Sequence, residues 1–160
     1  MSNLPSRVIP MSYMGVPFSQ DPSGSRAAIL GIPFDCGTHP TRIGARQGPD
    51  AIRVQSSLVR PYYPPDFDFN PLELLNLVDC GNVACVAGEV ESALSMIETA
   101  VSEICQTGAV PVTMGGDGLV SLPQLRALSK VHNDLVFIHI DAHTDTYPSS
   151  GSRTNDLYNT

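Results

Sequence analysis

Apolar positions along this chain fall into two patterns. Four short continuous runs, at residues 27–32 (AAILGI), 74–78, 109–114 and 135–140, have the length and density of parallel strands buried on both faces. Between them the spacing is helical. Across residues 89–106, Val90, Leu94, Ile97, Val101 and Ile104 share one face, Glu91, Glu98 and Glu103 point elsewhere, and Gly108 stands where a C-cap belongs. Pro49 suits a first helical turn, which predicts a helix over 50–58. Ser121 as N-cap, with Pro123 in the first turn, predicts another over 122–131. Residues 60–72, RPYYPPDFDFNPL, read as a surface excursion. Residues 1–24, punctuated by Pro5, Pro10, Pro17 and Pro22, read as an irregular arm, laid over a neighbouring surface or loose. From residue 146 onward there is no periodic signal, and the chain has no internal repeat.

Strands alternating with helices at this spacing predict a parallel α/β sheet with helices on both faces. Ligands in such sheets sit beyond the carboxyl ends of the strands, and polar clusters follow the first, third and fourth runs. After the fourth comes Asp141-Ala142-His143-Thr144-Asp145. If the strand geometry persists, positions i, i+2 and i+4 project to one side, so two carboxylates and an imidazole converge. That donor set suits a hard or borderline divalent ion such as Mn(II), ahead of Zn(II) or Fe(II); the alternative is a hydrogen-bonded polar turn with no metal. After the third run, Gly115-Gly116-Asp117-Gly118 lacks the Lys of a phosphate-cradling loop. A tight turn is expected there, bringing backbone close to a neighbouring strand's site, with Asp117 either a ligand or an acceptor for local N–H groups. His139, among Ile and Phe, is expected in the core; His39 and His132 are assigned no role.

Composition narrows the partners. Sixteen Asp and Glu against nine Lys and Arg give a net charge of -7, and Lys130 is the only lysine. With no basic run, nucleic acid and anionic lipid are poor partners. No stretch approaches the ~20 apolar residues of a membrane helix, and the N-terminal segment lacks the apolar core of a secretory signal, so a cytoplasmic protein is expected. Cys36, Cys80, Cys85 and Cys105 fit no zinc-ribbon spacing and read as small apolar residues of a reducing compartment. The 160 residues suit one domain.

Three segments, GIPFDCGTHPTRIGARQGPDAIR (31–53), VPVTMGGDGLVSLP (110–123) and FIHIDAHTDTYP (137–148), together resemble the ureohydrolase superfamily of arginases and agmatinases, most closely its agmatinase-like branch. The resemblance runs from about residue 25 onward. It implies a three-layer αβα fold with a mainly parallel sheet, of which this chain would hold the first half. The arm at 1–24 would precede the N-terminal part of a single arginase-like domain at 25–160. The implied activity is that of a Mn2+-dependent amidinohydrolase, which releases urea and an amine from a linear guanidino compound through a metal-bound hydroxide. The complete family site holds two Mn2+ ions. Carried over by position, Asp141 would bridge both, His143 would bind one and Asp145 the other, while Tyr147 would face the substrate's tail. A homo-oligomer, trimer or hexamer, is implied at full length.

Three departures accompany the resemblance. Gly118 stands where the family's Gly-Gly-Asp-His turn has its His ligand, so one metal would lose an imidazole. The family's His-Gly pair is matched here only by Asn159-Thr160. The second Asp-x-Asp of the family's later half has no counterpart, which makes the chain an expected fragment of a longer product or a degenerate relative. The departures keep a second reading open, a non-catalytic binding or regulatory protein on a ureohydrolase scaffold with a degraded metal site. A phosphoesterase using Asp-x-His ranks last, since neither the glycine turn nor the 31–53 segment resembles that class.

Overall fold

The computed structural model describes residues 11–35, 37, 41–59, 68–86 and 88–143. Among these residues, three parallel strands make one sheet in the order β2-β1-β3: β1 (Ala27–Gly31) is central, β2 (Val78–Asn82) and β3 (Val110–Met114) flank it. Pairing of β1 with β3 is unbroken from Ala27↔Val110 to Gly31↔Met114, whereas its register with β2 slips between Ile29 and Gly31. The central place explains the continuous apolar run. Every residue of β1 is buried, and a strand covered on both faces has no polar side.

Alternation along β1 divides the core in two. Ala28, Leu30 and Ile32, with Val78, pack against α3 (Val90–Gln106) and α4 (Ser121–Ser129), where Ala93, Leu94, Ile97, Val101, Ile104 and Ala127 complete the larger cluster. The predicted face of α3 is therefore the buried one, with Ala93 added and Val90 at its margin. Ala27 and Ile29 form a smaller cluster with Val16, Leu77 and Met114 on the opposite face, the side on which α1 (Gly48–Ser56) lies. Helices thus cover both faces of a parallel sheet, the αβα layering expected from the sequence.

Residues 17–19 of the arm lie along the outer edge of β2. Phe18 bridges Asp79, the Asp79 amide donates to the Pro17 carbonyl (2.9 Å), and the Ser19 amide donates to the Asp79 carbonyl (3.0 Å). These bonds occupy backbone groups that an edge strand otherwise leaves open. The Asp79 side chain, fully buried, fastens the same region. Its oxygens accept from Arg53 Nε and Nη2 of α1 (2.8 Å each), from the Tyr13 amide of the arm (2.9 Å) and from the Gly81 amide (2.9 Å). Burial alone would push this carboxyl up, but the Arg53 hydrogen bonds, the two amides and the guanidinium charge outweigh it and hold Asp79 below the usual carboxylate range.

Two sequence expectations need correction. The second strand begins four residues later than predicted, because α2 (Pro71–Leu74) takes the first apolar residues of the run. Asn70 caps it by accepting the Leu72 amide (3.0 Å), and Asn76, at φ 45°, turns the chain into β2. The predicted fourth strand at 135–140 does not form, and Val136, Ile138 and Ile140 are 81%, 79% and 95% exposed. A strand exists only with a paired neighbour, and among the described residues β3 pairs with β1 alone.

Candidate functional site

Asp141 and His143 follow this unpaired run. Asp141 Oδ1 accepts the His143 amide at 2.9 Å, which closes an Asx turn and brings the same oxygen within 3.5 Å of His143 Nδ1. His139 Nε2 lies 3.8 Å from Asp141 Oδ2. The His143 amide, foremost, holds Asp141 below the usual carboxylate range, with the two imidazoles adding a smaller pull in the same direction. His139 is therefore not the core residue its neighbours suggested. Its side chain is one-third exposed and tilts against Phe137 with ring centres 5.5 Å apart, since no fourth strand carries it inward.

A carboxylate oxygen and an imidazole nitrogen 3.5 Å apart can take neighbouring positions around one divalent ion. The Asp141–His143 pair thus fits part of a Mn2+ site. Among the described residues no group of three such ligands occurs. Asp145 and Tyr147 lie outside the described residues, as do Cys36 and His39.

The turn after β3 has a different role for each residue. Asp117 Oδ1 accepts the Leu119 amide (3.0 Å), capping the short 3-10 turn Gly118–Val120 that leads into α4, and Oδ2 accepts the Gly37 amide (3.0 Å). Of the two roles considered for Asp117, the acceptor of nearby N–H groups is the one its geometry shows. It, and not Ser121, supplies the cap ahead of α4. The close backbone approach expected of the turn is present at Gly116, where a Cβ would lie 2.4 Å from the Ala45 carbonyl oxygen. Gly118 opens the 3-10 turn and offers no side-chain donor.

Sequence reasoning missed the ion pair that closes the loop between β1 and α1. Asp35, its side chain 1% exposed, accepts from Arg46 Nε (2.7 Å), Arg46 Nη2 (2.5 Å) and the Gly44 amide (2.9 Å). An Asp and an Arg eleven residues apart in a Gly-rich loop are too common a pattern to announce such a pair. Beside it, an open pocket of about 550 Å³ is walled by Phe34, Asp35, Arg46, Asp50, Val54 and Val86; neither Asp141 nor His143 lines it. Cys80, Cys85 and Cys105 are free and half-buried against the larger core. Burial pushes each thiol up, with Asp79 and Asp21 adding to the effect at Cys80, which disfavours the thiolate at each.

Residues 25–157 match the model of the arginase family, and this chain belongs to that family. The guanidinobutyrase of Pseudomonas aeruginosa is 38% identical over 137 residues, which cover 84% of this chain and 42% of that protein. The agmatinase of Salmonella newport is 35% identical over 138 residues, 84% of this chain and 45% of its own. Among solved structures, the proclavaminate amidino hydrolase from Streptomyces clavuligerus superposes with a TM-score of 0.81 at 32% identity, covering 89% of this chain and 46% of that one. The formiminoglutamase of Trypanosoma cruzi, solved with Mn2+, gives 0.70 at 27% identity, covering 84% and 46%. The chain therefore spans less than half the length of these relatives. No helix among the described residues is long and apolar enough to cross a membrane.

Proposed function

We propose that this chain carries the N-terminal part of a Mn2+-dependent amidinohydrolase, with an arm at 1–24 and part of a single α/β domain at 25–160, that converts a linear guanidino compound to urea and an amine. The observation that carries the reading is the Asp141–His143 pair, side by side within Asp-Ala-His-Thr-Asp. In this reading Asp141, His143 and Asp145 would hold the ions, and Tyr147 would meet the substrate's tail. When bound, the ions supply the Lewis acidity that makes water a nucleophile near neutral pH. The His143 amide, foremost, holds Asp141 below the usual carboxylate range, which favours the ionised form that ligation requires. A net charge of -7 favours approach of a guanidinium cation. A small guanidino substrate agrees with the names of the relatives. Assembly as trimers or hexamers and a cytoplasmic location belong to the same proposal, and sedimentation and cell fractionation test them.

The test is urea release from 4-guanidinobutyrate and from agmatine by Mn2+-loaded protein made from its complete coding sequence. Release that Asp141→Ala abolishes is the expected result. Mn2+ bound with no urea from either compound would favour the second reading, a non-catalytic binding or regulatory protein. That reading draws on one observation, the absence of a donor at Gly118.

A further inference from the structure

We propose that the Asp35–Arg46 ion pair is a positioning device for the 115–118 turn: it fixes where the backbone of that turn stands against the loop between β1 and α1.

The argument is a closed ring of contacts. Asp35 follows β1 directly, and its three donors, two from Arg46 and one from Gly44, pull the two ends of the loop together. Next to Arg46, the Ala45 carbonyl and Cβ stand against Gly116, where an added Cβ would meet them at 2.4 and 2.8 Å. Two residues beyond Arg46, Gly48 stands against the Gly115 carbonyl, which a Cβ at that position would meet at 3.0 Å. From the turn, Asp117 Oδ2 accepts the Gly37 amide, eighty residues earlier in the chain, and Gly37 leads back to Asp35. At Gly116 and Gly48 the approach is to backbone oxygens, so a shift of Ala45 must move Gly116 or open the contact, while the Asp117 side chain closes the ring at Gly37. The planar fork of Arg46 holds both carboxylate oxygens at once, which fixes direction as well as distance; a Lys supplies one point of attachment.

Hydrogen exchange by mass spectrometry, comparing the unmodified protein with Arg46→Met, Arg46→Lys and Asp35→Asn, tests the coupling. Amides at 115–119 are expected to exchange about tenfold faster in Arg46→Met, with Lys intermediate, while α3 on the far face of the sheet keeps its protection. Asp35→Asn keeps an acceptor for Gly44 but loses the charge, and is expected to show the same pattern more weakly. Unchanged protection at 115–119, or α3 loosening in step with it, would overturn the coupling. If Arg46→Met does not fold, the Lys and Asn variants decide.

Discussion

Replacing Arg53 by Met gives the sharpest test of what fastens helix α1 and the arm to the sheet. Met keeps the apolar stem and deletes the guanidinium, which makes two bonds to Asp79, one to Asn82 Oδ1 (2.6 Å), one to the Gly81 carbonyl (2.9 Å) and a longer one to Asp50 (3.4 Å). Asp79 stays fully buried with only the Tyr13 and Gly81 amides as partners. Breaking a buried pair from one side costs about 3–5 kcal/mol, and the two remaining amides place this case near 3 kcal/mol, roughly. Against a total stability of about 5–15 kcal/mol that is a large fraction, and at about 2–4 °C per kcal/mol the melting temperature falls by roughly 6–12 °C. Equilibrium unfolding in urea, followed by far-ultraviolet circular dichroism at pH 7, measures it.

The pH dependence separates this cause from a generic loss of packing. In the unmodified protein Asp79 is held below its ordinary range, so its contribution is present above about pH 4 and is lost as the pH falls through the depressed value. In Arg53→Met the same carboxyl is buried without its counter-charge and its pKa rises. The variant then gains stability as the pH falls through that raised value, and the gap between the two proteins narrows from pH 7 to pH 5. Arg53→Met combined with Asp79→Leu is expected to recover most of the loss, since it removes the stranded charge. A loss under about 1 kcal/mol, or a gap independent of pH, would refute the reasoning.

Other expectations follow from single contacts. Asp117→Ala leaves the Gly37 and Leu119 amides without their acceptor and is expected to lower stability by about 1–2 kcal/mol in the same unfolding assay. Ile97→Ala opens a cavity in the larger core, where Ile97 is wholly buried, for about 2–5 kcal/mol; a smaller loss would mean that α3 and α4 collapse over the gap. Gly118→His is expected to strengthen Mn2+ binding in a calorimetric titration, and unchanged affinity would show that a side chain at 118 does not reach the ion.

What could be read from the sequence was what one segment specifies by itself. The face of α3 follows from 3.6-residue periodicity, and β1 follows from an unbroken apolar run, because each pattern already records the environment on both sides of its own element. The Asp141–His143 adjacency has another origin: it was expected from a strand that does not form, and a local Asx turn brings the two side chains together instead. What went unread depends on two segments at once. Residues 135–140 have the apolar density of a strand, yet density specifies burial and not a partner, and with no partner the run lies in solvent. His139 was assigned to the core on the same assumption and fails with it. The arm's course along β2, the Arg53–Asp79 pair and the Asp35–Arg46 pair join residues that no period connects, and in the sequence each is an ordinary charged or Pro-rich position. These two-body features fasten α1, the arm and the loop between β1 and α1 to the sheet, and no local pattern announces them. A change at Arg46 or Arg53 is therefore expected to be felt beyond its own loop or helix, although nothing in the local sequence marks either position.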